Sequence, residues 1–375
     1  MRPFLRELLR CPACRGRLTA EVFVTDPHDQ RVVEGLLRCG CGACFPVIGT
    51  IPRMLVNAQE LFPDFARRHG VRLGTGSGGD RAGRHGASLS RTRKSFGYQW
   101  TAFSEMSCDF ADNFWNYLAP ATPDFFRGKV GADIGCGFGR HLYHAARYCD
   151  EIVGVDFSRA IEATDRNTKH LANVHLVQAD LYALPFPDAC FDFVYSVGVL
   201  HHLPDPGRGM ASLVPLLRPG GTLFVWLYST SRRVLNFLLE CVRAVTTRCP
   251  HPLVQGLSWA AALVDYGGFV WPYRCLHAMP FLGRLIERLA PARIKLYSAY
   301  PFQVLYADWF DRLAAPIRYY YDEEGVRGLL IRAGVSDIQV TPTGLYGWRG
   351  CGMRPASQIR RDESTGTLSR KGTDG

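Results

Sequence analysis

The chain has 375 residues, 47% of them apolar and 21% charged, which excludes a disordered polypeptide and allows one large core plus an appendage. The net charge is +10, yet residues 96–230 hold nine basic against fourteen acidic side chains, and the surplus lies mainly in 57–95 and 231–350. Lysine occurs only at 94, 129, 169, 295 and 371, so the excess is arginine, a compositional bias that outlines no phosphate-binding face and disfavours nucleic acid as the partner.

The chain opens on "MRPFLRELLRCPACRG", without the basic, apolar and small-residue succession of a secretory leader. Thirteen cysteines, an odd number, then argue for reduced thiols in a cytoplasmic protein and against a disulfide framework. Residues 1–56 contain five of them. "CPAC" (11–14), followed by "LRCGCGACFPVIGTIPRML" (37–55), resembles a small zinc-ribbon module. Its pattern is Cys-Pro-x-Cys, a second cysteine pair, an aromatic-Pro-aliphatic stretch and Gly-Ile-Pro; here Thr50 interrupts the last, giving Gly49-Thr50-Ile51-Pro52. The resemblance implies a structural zinc on Cys11, Cys14, Cys39 and Cys41, with Cys44 as an alternate in the second pair. Four thiolates close a tetrahedral site and leave no open position for catalysis. So small a module needs a staple of this kind to hold a core. A metal-free knuckle with spare thiols is the alternative.

Residues 57–95 are expected to be a flexible linker, because "GVRLGTGSGGDRAGRHGASLSRTRKS" (70–95) offers almost nothing to bury. Aromatic residues return at "FGYQWTAF" (96–103), and an α/β domain is expected from there to about residue 350. Strands are expected at 129–135, 151–158, 174–180, within 190–203 and at 222–229, with helices at 140–149, 160–171 and 207–217 and a turn at "RPGG" (218–221). Strands separated by helices of about ten residues imply a parallel sheet covered on both faces. Ligands in such sheets bind beyond the carboxyl ends of the strands, and Asp133, Asp156 and Asp180 all lie at or near that edge.

The first strand runs into "VGADIGCGFGR" (130–140), with Gly135, Gly137 and Gly139 at alternate positions. A dinucleotide fingerprint is spaced G-x-G-x-x-G, and a carboxylate at 133 would repel a pyrophosphate but suit a cation. S-adenosylmethionine carries a sulfonium and an ammonium and no phosphate. Glycines would let the backbone approach its methionine portion. Asp156 is placed to accept from two ribose hydroxyls and Asp180 from the adenine amino group, with Phe157 and Leu181 on the two faces of the base. "VGADIGCGFGR", "IVGVDFS", "VHLVQADLYALPFPDACFDFVYSVGVLHHLPD" and "LLRPGGTLFVWLYS" resemble the successive motifs of class I S-adenosylmethionine-dependent methyltransferases over about residues 125–230. The resemblance implies Asp133, Gly135, Gly137, Asp156 and Asp180 as cofactor residues, with Ser196 and Val197 near the fourth strand's edge. It implies a Rossmann-like sheet preceded by a zinc ribbon, as some of these enzymes have.

Methyl transfer needs alignment and exclusion of water more than a base. His201 and His202 lie beyond strand four, and His201 is the candidate base, against a packing role for one ring and a capping role for the other. Tyr98 and Trp100 either close over the cofactor or pack a helix on the sheet. Residues 231–320 read as a helical insertion in which Leu235, Leu238, Leu239, Val242 and Val245 follow helical spacing. "LVQGLSWAAALVDYGGFVW" (253–271) is broken by Gln255, Asp265 and two glycines and should not span a bilayer. The insertion would serve as a helical cap, a hydrophobic acceptor pocket or a peripheral membrane contact. Residues 306–340 resemble the substrate-side loop, helix and strand of the same enzymes, offering Asp308, Asp311 and Tyr319–Tyr321 as acceptor contacts, and "GLYGWRG" (344–350) completes a hairpin. The tail 351–375 is polar and expected to be disordered. The expected activity is methylation of a small or lipophilic acceptor, such as a metabolite, glycan or lipid-linked intermediate. A ribosomal or transfer-RNA base methyltransferase and a non-catalytic zinc-ribbon binding module are the rivals.

Overall fold

The computed structural model describes residues 1–74, 86–344 and 346–356. Their strands are β1 (Leu18–Thr25), β2 (Val32–Cys39), β3 (Cys44–Ile48), β4 (Ile51–Met54), β5 (Val130–Ile134), β6 (Glu151–Asp156), β7 (Val174–Ala179), β8 (Phe191–Val197), β9 (Leu217–Tyr228), β10 (Ser336–Pro342) and β11 (Gly347–Met353). All eleven join one sheet in the order β1-β2-β3-β4-β7-β6-β5-β8-β9-β11-β10. The central run β7-β6-β5-β8-β9 is parallel, and β11 and β10 close the far edge as an antiparallel hairpin.

The chain leaves β5 toward β6 and β7 on one side, then returns to β8 and β9 on the other. Strand order therefore reverses between β5 and β8, and a crevice opens at their carboxyl ends. These strands are mostly apolar on both sides because both faces of the sheet are covered. Ala132, Ile134, Val153 and Val194 face one buried cluster, and Phe193, Tyr195 and Ile152 the other. "RPGG" is no free turn. It lies within β9, where the pairing with β8 slips between Phe191 and Phe193 and the Gly220 amide donates to the Arg354 carbonyl.

The cysteine-bearing segment is built into this sheet. β1 to β4 form an antiparallel meander, and β4 then pairs in parallel with β7, Arg53 opposite Gln178 and Met54 opposite Ala179. Leu5, Phe45 and Val47 share one core cluster with Val177, Ala179 and Leu184.

The linker expectation over 57–95 is corrected at both ends. Helices occupy Ala58–Leu61 and Pro63–His69, where Phe65 and Ala66 are buried, and a 17-residue helix spans Gly86–Ala102. That last helix was hidden because its inward face is polar: Thr92, Ser95 and Gln99 are buried, and Ser95 Oγ donates to the Ala314 carbonyl at 3.0 Å. Residues 75–85 of the expected linker and 357–375 of the expected disordered tail lie outside the described residues; residues up to Met353 belong to β11.

The insertion is helical: Arg233–Thr246, His251–Asp265 continuing through a wide turn at Tyr266–Val270, then Trp271–His277, Gly283–Leu289, Ala292–Ala299 and Phe302–Ala314. The expected spacing from Leu235 to Val245 does form a helix, yet Leu235, Leu238, Val242 and Val245 are exposed. Among the described residues no helix is long and apolar enough to cross a membrane.

Candidate functional site

A cavity of about 300 Å3 opens at the β5–β8 switch point and runs outward under the helix Gly86–Ala102 and the insertion. Its inner wall is the glycine turn. Gly135 has φ +89°, and a Cβ there would stand 2.3 Å from Val199, so no other residue fits between β5 and the loop after β8. Gly137, at φ +57°, brings its amide to Asp156, whose Oδ2 accepts at 3.0 Å, while Trp100 covers the turn from outside.

The other Asp156 oxygen accepts from the Ser158 amide and hydroxyl, both at 2.7 Å. Burial raises the Asp156 pKa, and the bonds from Ser158 and Gly137 oppose the rise. A carboxylate has about four acceptor positions, so capacity for further hydroxyls remains. Asp180 follows β7 directly and caps the short helix Leu181–Ala183, its Oδ1 accepting from the Tyr182 amide at 2.9 Å; burial raises its pKa too.

Of the residues singled out in the sequence, Gly135, Gly137, Asp156, Phe157, Asp180, Leu181 and Val197 line the cavity. Three stand behind it. Gly139 caps the helix Arg140–Ala146 against Thr164. Ser196 is fully buried and ties β8 to β5 by donating to the Ile134 carbonyl at 2.8 Å. Asp133 points into the sheet's covered face beside Tyr195, because strand alternation turns it away from its neighbour Ile134. Burial pushes its carboxyl up to about 8, with the Tyr195 hydroxyl only partly offsetting the rise. Asp133 Oδ2, both ring nitrogens of His141 and Asn113 Oδ1 are buried without a hydrogen-bond partner, and His141 and Asn113 line the same end of the cavity. The unpaired atoms of His141 and Asn113 at one end of the cavity are what a polar ligand head would satisfy, with Asp133 behind them.

The outer half has a different lining. The His201 imidazole is fully buried, 4.0 Å from the Tyr228 ring, and does not reach the cavity, so the base expected there has no access. His202 does reach it. Its Nδ1 donates to the Ile317 carbonyl at 2.7 Å, leaving the lone pair of the neutral ring on Nε2, which lies 3.9 Å from Asp311. Burial lowers the His202 pKa to about 4. Asp311 accepts from Tyr228 Oη at 2.7 Å and from Arg318 at 2.6 Å. Burial raises its pKa, but Arg318 and His202 outweigh that and hold it below the ordinary carboxylate range. Asp308 accepts from Tyr297 Oη at 2.5 Å. Of Tyr319–Tyr321, only Tyr320 lines the cavity, donating to Glu240 at 2.9 Å. Tyr98 instead packs on the insertion, its hydroxyl donating to Gln255 at 2.5 Å, whereas Trp100 is cavity wall. Sequence reasoning did not find Arg312, Tyr297 or Tyr346. The insertion carries the first two and the last hairpin the third, and no local motif marks them.

Away from the cavity, Cys11, Cys14, Cys39 and Cys41 bring their sulfur atoms within 4.8 Å of one another. Cys11–Cys41 and Cys14–Cys39 are 3.8 and 3.3 Å apart. A tetrahedral zinc at about 2.3 Å from each sulfur requires edges of about 3.8 Å, so the set fits such an ion. Cys44 stands outside it, in a separate core cluster with Leu36 and Phe65. Burial pushes the Cys39 thiol up to about 12, while the Ala43 amide and the neighbouring thiols hold Cys41 at about 7.

Residues 132–225 match the family model described as "Methyltransferase domain". The tRNA U34 carboxymethyltransferase of Pseudoalteromonas translucida is 38% identical over 113 residues, 29% of this chain and 34% of that protein. The 27-O-demethylrifamycin SV methyltransferase of Amycolatopsis mediterranei is 40% identical over 96 residues, 24% and 35% of the two chains. The demethylmenaquinone methyltransferase of Staphylococcus saprophyticus is 35% identical over 100 residues, 26% and 43%. The chain spans less than half the length of each of these relatives.

Proposed function

We propose that the chain, whose residues 132–225 match a methyltransferase-domain model, is a class I S-adenosylmethionine-dependent methyltransferase that methylates a small or lipophilic acceptor bound in the outer half of the cavity. One observation carries the reading: a single cavity joins the residues expected around the nucleoside, Asp156, Phe157, Asp180 and Leu181, to an enclosed half lined by Tyr228, Asp308, Arg312 and Arg318. S-adenosylmethionine, when bound, supplies a methyl group on a sulfonium that an acceptor atom displaces in line. Gly135 and Gly137 leave room for the methionine portion, and Asp156 and Asp180 orient the nucleoside. The helix Gly86–Ala102 and the insertion exclude water, which strengthens every polar contact beneath them. His202 Nε2 is an acceptor for a hydroxyl or amine proton of the bound acceptor, and the bond from its Nδ1 to the Ile317 carbonyl holds that ring in place. The four cysteines carry a structural zinc in this reading. The protein works in the cytoplasm, with the insertion as its contact to a membrane.

Calorimetry with S-adenosylmethionine, followed by transfer of labelled methyl to extracted metabolites and lipids, tests the proposal. Absence of cofactor binding would leave only a zinc-ribbon binding module. The similarity to a tRNA-modifying enzyme favours RNA as the second reading. Cofactor hydrolysis stimulated by RNA but not by lipid extract would select it.

A further inference from the structure

We propose that the helices between residues 233 and 289 form a docking face for an anionic lipid bilayer. A helix on the surface of a protein in water buries its apolar stripe and shows its polar one. These helices bury Val254, Ala262 and Val270, yet they also bury several polar side chains and leave most of their large apolar ones outside. In Arg233–Thr246 the inward side chains are Arg243, 3% exposed and bonded to Glu240 and the Ala315 carbonyl, and Thr246, which donates to the Leu313 carbonyl at 2.7 Å. Val234, Phe237 and Val245 of the same helix point outward, Phe237 with 67% of its surface exposed. In His251–Asp265 the inward side chains are Val254 and Ala262 together with Ser258 and Asp265, the last paired with Arg293 and accepting from Trp309 Nε1 at 2.9 Å. Its outward ones include Leu257, Trp259 and Val264, the last 72% exposed. Phe269, Trp271 and Leu289 continue the face, and Phe281 is 97% exposed. Most of the large apolar side chains exposed among the described residues lie in this one segment. An apolar surface of that extent marks an interaction site.

Charge selects the occupant. Residues 231–300 hold nine basic and three acidic side chains, and two of the acids, Glu240 and Asp265, are paired with Arg243 and Arg293. Arg233, Arg248, Arg284 and Arg288 are exposed among the apolar residues. Basic side chains rimming an apolar helical face, with tryptophans between, suit the headgroup layer of an anionic membrane. A second copy would set the same arginines against one another across a two-fold axis without acids to meet them. No described helix can span the bilayer, so the contact is interfacial. Arg232, Asn236 and Leu296, from the same insertion, line the cavity's outer half, which sets that half beside the docking face. Entry of an acceptor from the lipid phase follows only if the methyl-transfer reading holds; the docking does not depend on it.

The full chain is to be sedimented with vesicles of phosphatidylcholine alone and of phosphatidylcholine with phosphatidylglycerol. Parent protein pellets with the mixed vesicles, about tenfold more than with the neutral ones, and high salt reduces the difference. The double variant Val264→Asp/Phe281→Asp stays in the supernatant with an unchanged circular dichroism spectrum and unchanged S-adenosylmethionine binding. Arg284→Glu/Arg288→Glu loses the preference for the mixed vesicles. Parent protein remaining in the supernatant with mixed vesicles overturns the proposal, as does pelleting of the double aspartate variant to the parent's extent. A parent dimer at sedimentation equilibrium that the double aspartate variant abolishes, without vesicle binding by either, assigns the face to a second copy.

Discussion

Asp156 organises the site in the absence of any ligand, because its two oxygens hold the Gly137 amide and both polar atoms of Ser158. Asp156→Ala removes those bonds and the acceptors for the nucleoside. Bonds to a charged group are worth about 1.5–3 kcal/mol each, so cofactor affinity should fall about 10- to 100-fold by calorimetry. Asp133 makes a pH-dependent prediction. Its carboxyl is raised to about 8 in the fold, whereas an unfolded chain releases that proton near 3.8. The Asp133 contribution to stability, read as the difference between the ligand-free parent and Asp133→Asn, should therefore decline as pH rises from about 4 to about 8 and level off above. A cationic ligand favours the ionised form, so cofactor affinity should rise with pH through about 7–8 with release of a proton, and Asp133→Asn should flatten that rise. An affinity independent of pH in the parent would exclude this coupling. At this scale the sequence was legible wherever a residue ends or directly follows a parallel strand, as Asp156, Asp180 and Val197 do. It misled where register decides orientation: Asp133 and Ser196 sit at the same edge, but alternation turns them into the packed interior. His201 failed for a related reason, since a one-residue step in the short helix Leu200–His202 decides which of two adjacent rings meets the cavity.

Two tethers connect the cysteine segment to the cavity-lining loops after β6 and β7. Arg15 bonds the Leu184 carbonyl at 3.3 Å and pairs with Asp188, and the Arg10 amide donates to the Pro185 carbonyl at 2.8 Å, just beyond Asp180 and Leu181. Arg53, almost fully buried, donates to Gln178 at 3.1 Å, and Gln178 donates in turn to the Ser158 carbonyl at 3.0 Å beside Phe157. Loosening the sulfur cluster should therefore weaken cofactor binding from a distance. Chelator treatment, or Cys14→Ser, is expected to lower the melting temperature by several degrees and raise the cofactor Kd about tenfold. Arg53→Met should do the second without releasing metal, which atomic absorption can check. An unchanged Kd in both cases would confine the cluster to local folding. The central strands and helices were readable because their apolar periods are regular. The helix Gly86–Ala102 was not. Its buried Thr92, Ser95 and Gln99 look like linker composition, and only the carbonyl of a residue more than two hundred positions later gives Ser95 its reason to be inside.

The whole molecule is one sheet with a lid, and its parts are less separable than composition suggests. Removing residues 1–56 would uncover the β7 edge and open the shared cluster around Val177 and Leu184. Such a truncation should aggregate instead of yielding a free methyltransferase domain, as size-exclusion chromatography would reveal. A monomeric truncation that binds cofactor as the parent does would refute this. The acidic balance of 96–230 and the basic balance of the insertion were visible in the sequence, but not that the insertion's helices leave so many large apolar side chains outside, since periodicity marks a stripe without naming its neighbour. The pairing of β4 with β7 also has a consequence for biosynthesis. Met54 leaves the ribosome long before Ala179, so the nascent chain carries a bare hydrogen-bonding edge while more than a hundred further residues are made. Capture of a metal ion by the four cysteines, if it occurs as the sulfur geometry allows, would hold the strands beside that edge in a formed hairpin during the wait, and zinc supply at the time of translation would then set the yield.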